Sequence, residues 1–333
     1  MKRLFSRDER GQTLPLFAIF LVVMLAAAGL VIDVGSAWAQ ERGQQKAADV
    51  AALAGATAEA NGATNAQIKA AALASATANG YDATEVEVNI PPTEGKYGPG
   101  GSGYSSNACT SAATYPCWVE VKITKEHPNS FARIIGQTEW DVAGRGVAVG
   151  GIANAVSNGI SPIMFNVDAV QAGDRGNNKQ YCNPQSNRCD PNNTWPLGET
   201  QFNWTTFCVT GGNCNVNSAD AKNIIDGGGF QITVALDMYL GPHNHGQHTS
   251  VCHALMDFYP NGGDLPVAIN DDNGNLAGFW IWHFDAAGTD CNGPDGEIMS
   301  GWFLEDLTST LPLTISPDAP AATFGQWIVR LVE

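Results

Sequence analysis

Four histidines crowd into one short stretch of the sequence and form its densest group of metal-binding side chains. They are His243, His245, His248 and His253. Imidazole nitrogens bind zinc and copper, so this spacing could form a metal site. The stretch contains no HExxH motif and supplies no nearby base, which argues against metal-assisted catalysis. Two interpretations stay open: a bound metal ion, or a polar loop in which Cys252 forms a disulfide.

Eight cysteines form the second group with chemical potential. They are Cys109, Cys117, Cys182, Cys189, Cys208, Cys214, Cys252 and Cys291. An even number in a domain predicted to be exported indicates disulfides formed in an oxidising compartment. The absence of a CxxC pair argues against a thioredoxin-type redox site and a zinc ribbon. Three close pairs predict the bonds 109–117, 182–189 and 208–214, and elimination leaves 252–291.

Signatures of other chemistry are weak. Asp271, Asn273 and Asn275 resemble part of a calcium loop, but Gly274 precedes the third of these side chains, and Asn273-Gly274 favours a type I′ hairpin. The sequence lacks a GxSxG elbow, a P-loop and a GxGxxG motif after a strand. Aromatic residues alternate along residues 279–284, which is typical of core strands. We therefore predict no enzymatic activity and no cofactor.

An uncharged, almost wholly apolar run covers residues 14–32 near the N-terminus. At 1.5 Å per helical residue it extends roughly 28 Å, which is enough to cross the hydrocarbon core of a bilayer. Its predicted membrane residues include Leu14, Pro15, Phe17 and Ile32, and Asp33 closes the run. Four basic residues precede it: Lys2, Arg3, Arg7 and Arg10. Positive flanks tend to stay cytoplasmic, so we expect a single-pass protein whose C-terminal part lies outside the cytoplasmic membrane.

A basic start, an apolar stretch and the small-residue triplet Ala37-Trp38-Ala39 are also typical of a cleaved secretory signal. The apolar run is longer than the usual signal core of roughly 7–15 residues. Helix-forming sequence also continues without a break through residues 40–60. Both features favour an uncleaved membrane anchor.

Alanine-rich sequence follows the apolar run, in residues 47–60 and again in residues 66–78. Spacings such as Ala48/Ala52 and Ala51/Gly55 place small residues on one helix face, which allows another helix to approach closely. The pattern is equally compatible with self-association through this face and with two helices packed on their own domain.

Several short motifs between residues 10 and 56 occur in an order that resembles a known family. They are Arg10-Gly11-Gln12, Pro15-Leu16-Phe17-Ala18, Val31-Ile32-Asp33-Val34-Gly35 and the run from Ala47 to Ala56. This stretch resembles the N-terminal module of TadE/TadG-like proteins of bacterial Tad (Flp-type) pilus assembly. The resemblance implies a bacterial envelope protein that is a minor pilin-like or assembly component, with pilus-assembly or secretion membrane proteins as partners. Processed pilin-like relatives carry a glutamate five residues after the cleavage glycine, where this chain has Leu16, so the sequence argues against processing after Gly11.

The charge distribution excludes a nucleic-acid partner. The chain has 17 Lys and Arg residues and 33 Asp and Glu residues. The first 46 residues contain 6 of the basic and 4 of the acidic ones. The sequence beyond them therefore has 11 basic and 29 acidic residues and a formal net charge of −18. Phosphate neutralisation needs clustered basic residues, which this region lacks. Such an acidic balance is typical of a dispersed exported domain.

The predicted fold class is α+β, with an N-terminal transmembrane helix that continues into an Ala-rich helical stalk, then a small α+β unit and a β-rich, disulfide-containing outer domain. Strands are predicted at residues 85–90, 118–124, 142–149, 230–239, 265–270, 278–285, 298–304 and 327–332, and a short helix at 130–136. The predicted segments are a cytoplasmic tail (1–12), a membrane helix (13–35), a stalk (36–80), the α+β unit (81–150) and the outer domain (151–333). The predicted function is a structural component of pilus assembly or secretion, and the alternative is a metal- or ligand-binding adhesin that uses the four histidines.

Overall fold

The computed structural model describes residues 13–103, 116–170, 175–184, 198–207, 218–236, 248–292, 297–305, 312–316 and 324–332, together with residues 238, 319 and 322. Helices in these ranges are α1 (Thr13–Ala60), α2 (Asn65–Ala78), α3 (Ser218–Asp226) and α4 (Thr249–Phe258). The strands are β1 (Val86–Asn89), β2 (Cys117–Pro128), β3 (Glu139–Ile152), β4 (Ala155–Val156), β5 (Ile163–Asn166), β6 (Lys179–Cys182), β7 (Phe202–Trp204), β8 (Val234–Ala235), β9 (Gly263–Asn270), β10 (Leu276–Asp290), β11 (Ile298–Phe303), β12 (Leu313–Thr314) and β13 (Trp327–Leu331). The predicted α+β class, with a long apolar N-terminal helix before β-rich sheets, is confirmed.

The first sheet is antiparallel and has the strand order β1-β2-β3-β13. Successive side chains of a strand point to opposite faces, and β2 separates two cores in this way. Val119, Val121 and Ile123 face the C-terminal half of α1 and α2. Trp118 faces the core beneath the other side of the sheet. Strand β13 pairs with β3, so this late segment of the chain returns to the sheet on which α1 lies.

Both Ala-rich segments pack against the first sheet. Ala48, Ala51 and Ala52 are completely buried, together with Ala72 of α2. The structure therefore agrees with packing on the chain's own domain. Sheet and α2 side chains cover this small-residue face, so the structure favours this alternative over self-association through the same face.

The second sheet has six strands in the order β6-β11-β10-β9-β5-β7, of which only the β5–β9 pair is parallel. A bridge between Cys182 and Gln201 joins its two ends, so the sheet curls almost into a barrel. Its interior is aromatic: the ring of Phe165 lies 5.0 Å from Tyr181 and 5.2 Å from Trp282. Helices α3 and α4 contribute Ile225 and other apolar side chains to the same core. The alternating aromatic residues of β10 are thus core residues. A small third sheet, β12-β4-β8, lies beside this one.

The predicted hairpin in the second sheet is present, with a different turn. Strands β9 and β10 pair as predicted, and Gly274 has a positive φ of 83°. Asn273 does not have the positive φ that a type I′ turn requires. Instead the Asp271 carboxylate accepts hydrogen bonds from the N–H groups of Asn273 and Asn275, at 2.9 and 2.8 Å. Burial alone raises the pKa of Asp271, but the Asn275 side-chain amide, which donates to its other oxygen at 3.2 Å, and these two N–H groups outweigh burial and hold the pKa below its usual value.

Two further local predictions differ from the structure. Of the strand predicted at residues 230–239, the described part forms only the two-residue β8. Helix α3, which lies before it, and helix α4, which overlaps the histidine-rich stretch, were not predicted by the sequence analysis. The short helix predicted at residues 130–136 is a 3-10 turn over Ala132–Ile135.

Candidate functional site: the membrane-proximal junction

The first half of α1 exposes its apolar side chains. Leu14 is 79% exposed and Phe17 65% exposed, and Pro15 and Ile32 are also exposed. Among the described residues, α1 is long and apolar enough to cross a membrane, with a window of mean hydropathy 2.8 that is only 6% buried. A surface so large and apolar has to be covered by lipid or by protein. These properties fit a membrane location for this part of the helix.

Asp33, at the C-terminal end of the apolar run, holds a loop of the α+β unit. Its carboxylate is 1% exposed and accepts backbone hydrogen bonds from Ser130, Phe131 and Ala132, at 3.0, 2.8 and 2.6 Å. We name residues 130–136 the membrane-proximal tip. The sequence analysis predicted that Asp33 closes the membrane run but not that it has partners nearly a hundred residues away. Its oxygens instead provide the hydrogen bonds that begin the 3-10 turn of the tip.

A second contact lies one to two helical turns further along α1. His127, at the end of β2, has its Nε2 2.9 Å from the Ser36 hydroxyl and its Nδ1 2.7 Å from the Gln40 side-chain oxygen. The Gln40 amide also donates to the carbonyl of Lys125. These contacts fix the helix where it leaves the predicted span.

Beyond this point α1 lies in a track of small residues on β3. A Cβ added to Gly144 would lie 2.4 Å from the Gln45 nitrogen, and one added to Gly146 would lie 2.7 Å from the Asp49 nitrogen. Only glycine permits such an approach between a strand and a helix backbone. Gly150 continues the track, since its Cβ would meet the Ala56 carbonyl at 2.5 Å.

Gln45 joins the two backbones across this track. Its side-chain amide donates to the carbonyl of Arg145 at 2.6 Å, and its side-chain oxygen accepts from the Arg145 N–H at 3.1 Å. The signal in the sequence is the alternation of small residues along β3, at 144, 146, 148 and 150. The sequence analysis predicted this strand without recognising the track.

The opposite face of the sheet is held by a buried ion pair between its two central strands, β2 and β3. The carboxylate of Glu120 is fully buried and accepts from Arg145 Nε at 2.6 Å, from Thr93 N at 3.0 Å and from Asn89 Nδ2 at 3.0 Å. Burial alone raises the pKa of Glu120, but the bonds from Thr93, Arg145 and Asn89 outweigh it and lower the pKa. The strand that carries the glycine track is therefore tied to its neighbours on both sides.

Glu59, near the end of α1, has a different environment. Its Oε2 is buried without a hydrogen-bond partner, and burial raises the pKa of this carboxyl to about 7. Glu297, before β11, is also buried without a hydrogen bond of standard geometry. Burial raises the pKa of Glu297 to about 7, against weaker opposing effects of the His248 N–H and the Trp204 indole.

The histidines of the predicted metal site are only partly described. His243 and His245 lie outside the described residues. His248 precedes α4, and burial lowers its pKa. His253 is exposed on α4 and lies 3.1 Å from the Asn292 side-chain oxygen. The described part of the chain brings no three His, Cys, Asp or Glu side chains into metal-binding geometry. The metal site therefore stays a prediction.

The predicted disulfide Cys252–Cys291 is confirmed, with a Cα–Cα distance of 5.6 Å. It ties α4 to the end of β10 across a separation of 39 residues. Cys117 and Cys182 are also disulfide-bonded. Their predicted partners Cys109 and Cys189, and the predicted pair Cys208 and Cys214, lie outside the described residues.

Comparison with protein-family models gives a match to the N-terminal helix. Residues 11–58 match the family model Tad, described as putative Flp pilus-assembly TadE/G-like. No curated protein and no solved structure matches the chain significantly. The matched segment covers nearly the whole of α1, both the exposed apolar half and most of the half that lies in the glycine track.

Proposed function

We propose that this chain is a membrane-anchored, non-enzymatic assembly component of a bacterial Tad (Flp-type) pilus or a related secretion apparatus. The observation that carries the proposal is the match of residues 11–58 to the pilus-assembly family on a helix whose first half exposes an apolar surface. In this proposal α1 contacts membrane proteins of the apparatus, and the outer domain makes protein contacts outside the membrane.

The charge distribution supports an orientation with the outer domain outside the cytoplasm. Four basic residues precede the apolar run, and the sequence beyond residue 46 carries a formal net charge of −18. Basic flanks tend to remain on the cytoplasmic side. The Cys252–Cys291 disulfide also agrees with an oxidising compartment for the outer domain.

The continuity of α1 supports a mechanical role. One uninterrupted helix runs from Thr13 to Ala60, and from Asp33 onward it is fixed to the first sheet and its adjoining turn by Asp33, by Gln45 and by close backbone contact at the glycine track. A helix held in this way moves together with the sheet on which it lies. A membrane partner that displaces α1 would therefore displace the outer domain.

Site-specific photo-crosslinking tests the proposal. A photoreactive amino acid replaces Phe20, which is exposed on the apolar half of α1, in the full chain. The host is the bacterium that carries the gene together with its pilus-assembly genes. We expect crosslinks to a cytoplasmic-membrane protein of the pilus apparatus, identified by mass spectrometry. The same group at Asn79, which is exposed at the end of α2, is the matched control and should not give this product.

Deletion of the gene provides the second arm of the test. We expect fewer or no pili, and recovery when the wild-type chain is supplied. Normal pili in the deletion strain, together with crosslinks from Phe20 to lipid only, would contradict the proposed function.

A further inference from the structure

The membrane-proximal tip presents apolar side chains that the described chain leaves largely or partly uncovered. Ile134 is 81% exposed, Ile135 78% and Phe131 43%. The outer domain otherwise buries its large apolar side chains in its cores, with few exceptions. Three such residues on a single turn form a concentrated apolar projection.

This projection points along the membrane helix. The Phe131 ring lies directly over Gly29, where an added Cβ would come within 2.6 Å of the ring. An apolar cleft of about 700 Å³ separates the rest of the tip from α1, and its walls include Leu25 and Leu30 on the helix and Ile134 and Ile135 on the tip. The apolar surfaces of the tip and of the predicted span are therefore continuous.

The depth of the tip follows from the helix geometry. Gly29 lies four residues before Asp33, and at 1.5 Å per residue it lies about 6 Å deeper in the apolar run. Trp38, exposed five residues beyond Asp33, stacks with the Arg42 guanidinium at 5.0 Å. Exposed tryptophans of this kind are enriched at membrane surfaces. A membrane surface near Trp38 places Phe131, Ile134 and Ile135 within the bilayer.

Most backbone N–H groups of the tip are hydrogen-bonded within the protein, as a medium without water requires. Asp33 accepts from three of its N–H groups, as described above. The N–H groups of Ile134, Gly136 and Gln137 donate to carbonyls of the same turn, each at 3.1 Å. Irregular backbone enters the apolar part of a membrane only when such groups are satisfied within the protein.

We propose that the membrane-proximal tip is a second membrane contact, which enters the lipid leaflet next to the outer domain, and that phospholipid acyl chains fill the cleft between the tip and α1. Arg133 is exposed on the same turn, and a side chain of its length can place the guanidinium at the level of the lipid phosphates. The membrane span of α1 and the tip together fix the tilt and the rotation of the outer domain on the membrane. This inference rests on the membrane span in the proposed function but not on any pilus partner.

Depth-dependent fluorescence quenching tests the proposal on the full chain in phosphatidylethanolamine and phosphatidylglycerol vesicles. Three single variants, Ile134→Cys, Phe20→Cys and Asn79→Cys, carry an environment-sensitive fluorophore at the tip, in the span and on the outer domain. The wild-type chain is the labelling blank, because no described cysteine is free. Quenchers are lipids with nitroxides on the acyl chain and iodide in the water.

We expect the Ile134 probe to be quenched by the nitroxide lipids and to be several-fold less accessible to iodide than the Asn79 probe. Lipid quenching at Phe20 with an Ile134 probe that behaves like Asn79 would overturn the proposal while leaving the span intact. An Ile134 probe shielded from both quenchers would mean that protein covers the tip, which also overturns it. Absence of lipid quenching at Phe20 would refute the span itself, and with it both proposals.

Discussion

Substitution of the glycines in the β3 track should release the membrane helix from the outer domain. A Cβ at position 144 would lie 2.4 Å from the Gln45 nitrogen, whereas ordinary contacts begin at 3.4 Å. In Gly144→Ala the helix must therefore move away by about 1 Å, since backbone lies on both sides of the contact. Gly146→Ala requires a displacement of about 0.7 Å by the same argument, because its Cβ would lie 2.7 Å from the Asp49 nitrogen.

The expected energetic cost follows from two contributions. Overpacking in a close-packed core typically costs about 1–3 kcal/mol. The displacement also lengthens the two hydrogen bonds between Gln45 and Arg145, each of which contributes about 1 kcal/mol at most. We expect Gly144→Ala to lower the free energy of unfolding of the outer domain by about 2–4 kcal/mol, a large part of the roughly 5–15 kcal/mol of a typical domain.

Urea unfolding of the full chain in detergent micelles, followed by tryptophan fluorescence, measures this change. Gly35→Ala is the matched control, because Gly35 lies on α1, the helix that Gly144 contacts, and an added Cβ there meets no atom within 4 Å. Alanine is the better helix former, so this control should lose no stability. If Gly144→Ala and Gly146→Ala both stay within about 0.5 kcal/mol of the wild type, the close approach of α1 to β3 is refuted.

Three further predictions address pH, disulfides and topology. The pKa of Glu59 is raised to about 7 from an ordinary 4.5, so its contribution to stability is fully present below about pH 4.5 and is lost as pH rises through 7; this loss amounts to about 3 kcal/mol. Glu59→Gln should remove this part of the decline in the urea midpoint between pH 5 and 8 and leave the part due to Glu297, whose pKa is also raised to about 7, whereas an unchanged decline would contradict the assignment. Cys291→Ser removes a disulfide that spans 39 residues and should lower the free energy of unfolding by about 4 kcal/mol in the chain-entropy model. Thermal denaturation should show a larger loss for this variant than for Cys189→Ser, whose predicted disulfide closes a shorter loop. Equal losses would contradict the loop-length argument. Protease added to intact spheroplasts should digest the chain beyond about residue 40 and spare the N-terminal tail, and protection of the outer domain would overturn the orientation.

The sequence by itself predicted the elements whose pattern is local. The apolar run of α1, the alternation in β2 and β10 and the Asn273-Gly274 turn signal all depend on neighbouring residues, and each predicted its element correctly. The position of Gly274 was sufficient for a hairpin but not for its turn type, because the Asp271 side chain selects the turn through hydrogen bonds to Asn273 and Asn275.

Some local signals in the sequence indicate structure that the sequence analysis did not predict. The apolar residues Val251 and Leu255 have the i, i+4 spacing of a helix, and they face the core from α4. The sequence analysis treated this segment as a source of metal ligands, since His248 and His253 dominate its chemistry. The predicted pair Cys252–Cys291 followed only by elimination from closer pairs, yet it is the bond that the fold forms.

Only the tertiary structure decided how the membrane helix is held. Asp33 accepts hydrogen bonds from residues almost one hundred positions away, and Gly144 makes contact with Gln45 across a similar distance along the chain. No periodicity connects such residues, because their proximity depends on how the sheet curves and where the helix lies on it. The sequence determined that an apolar helix starts the chain and that small residues follow it. Packing of backbone on backbone determined that the helix, the sheet and the membrane-proximal tip form one junction.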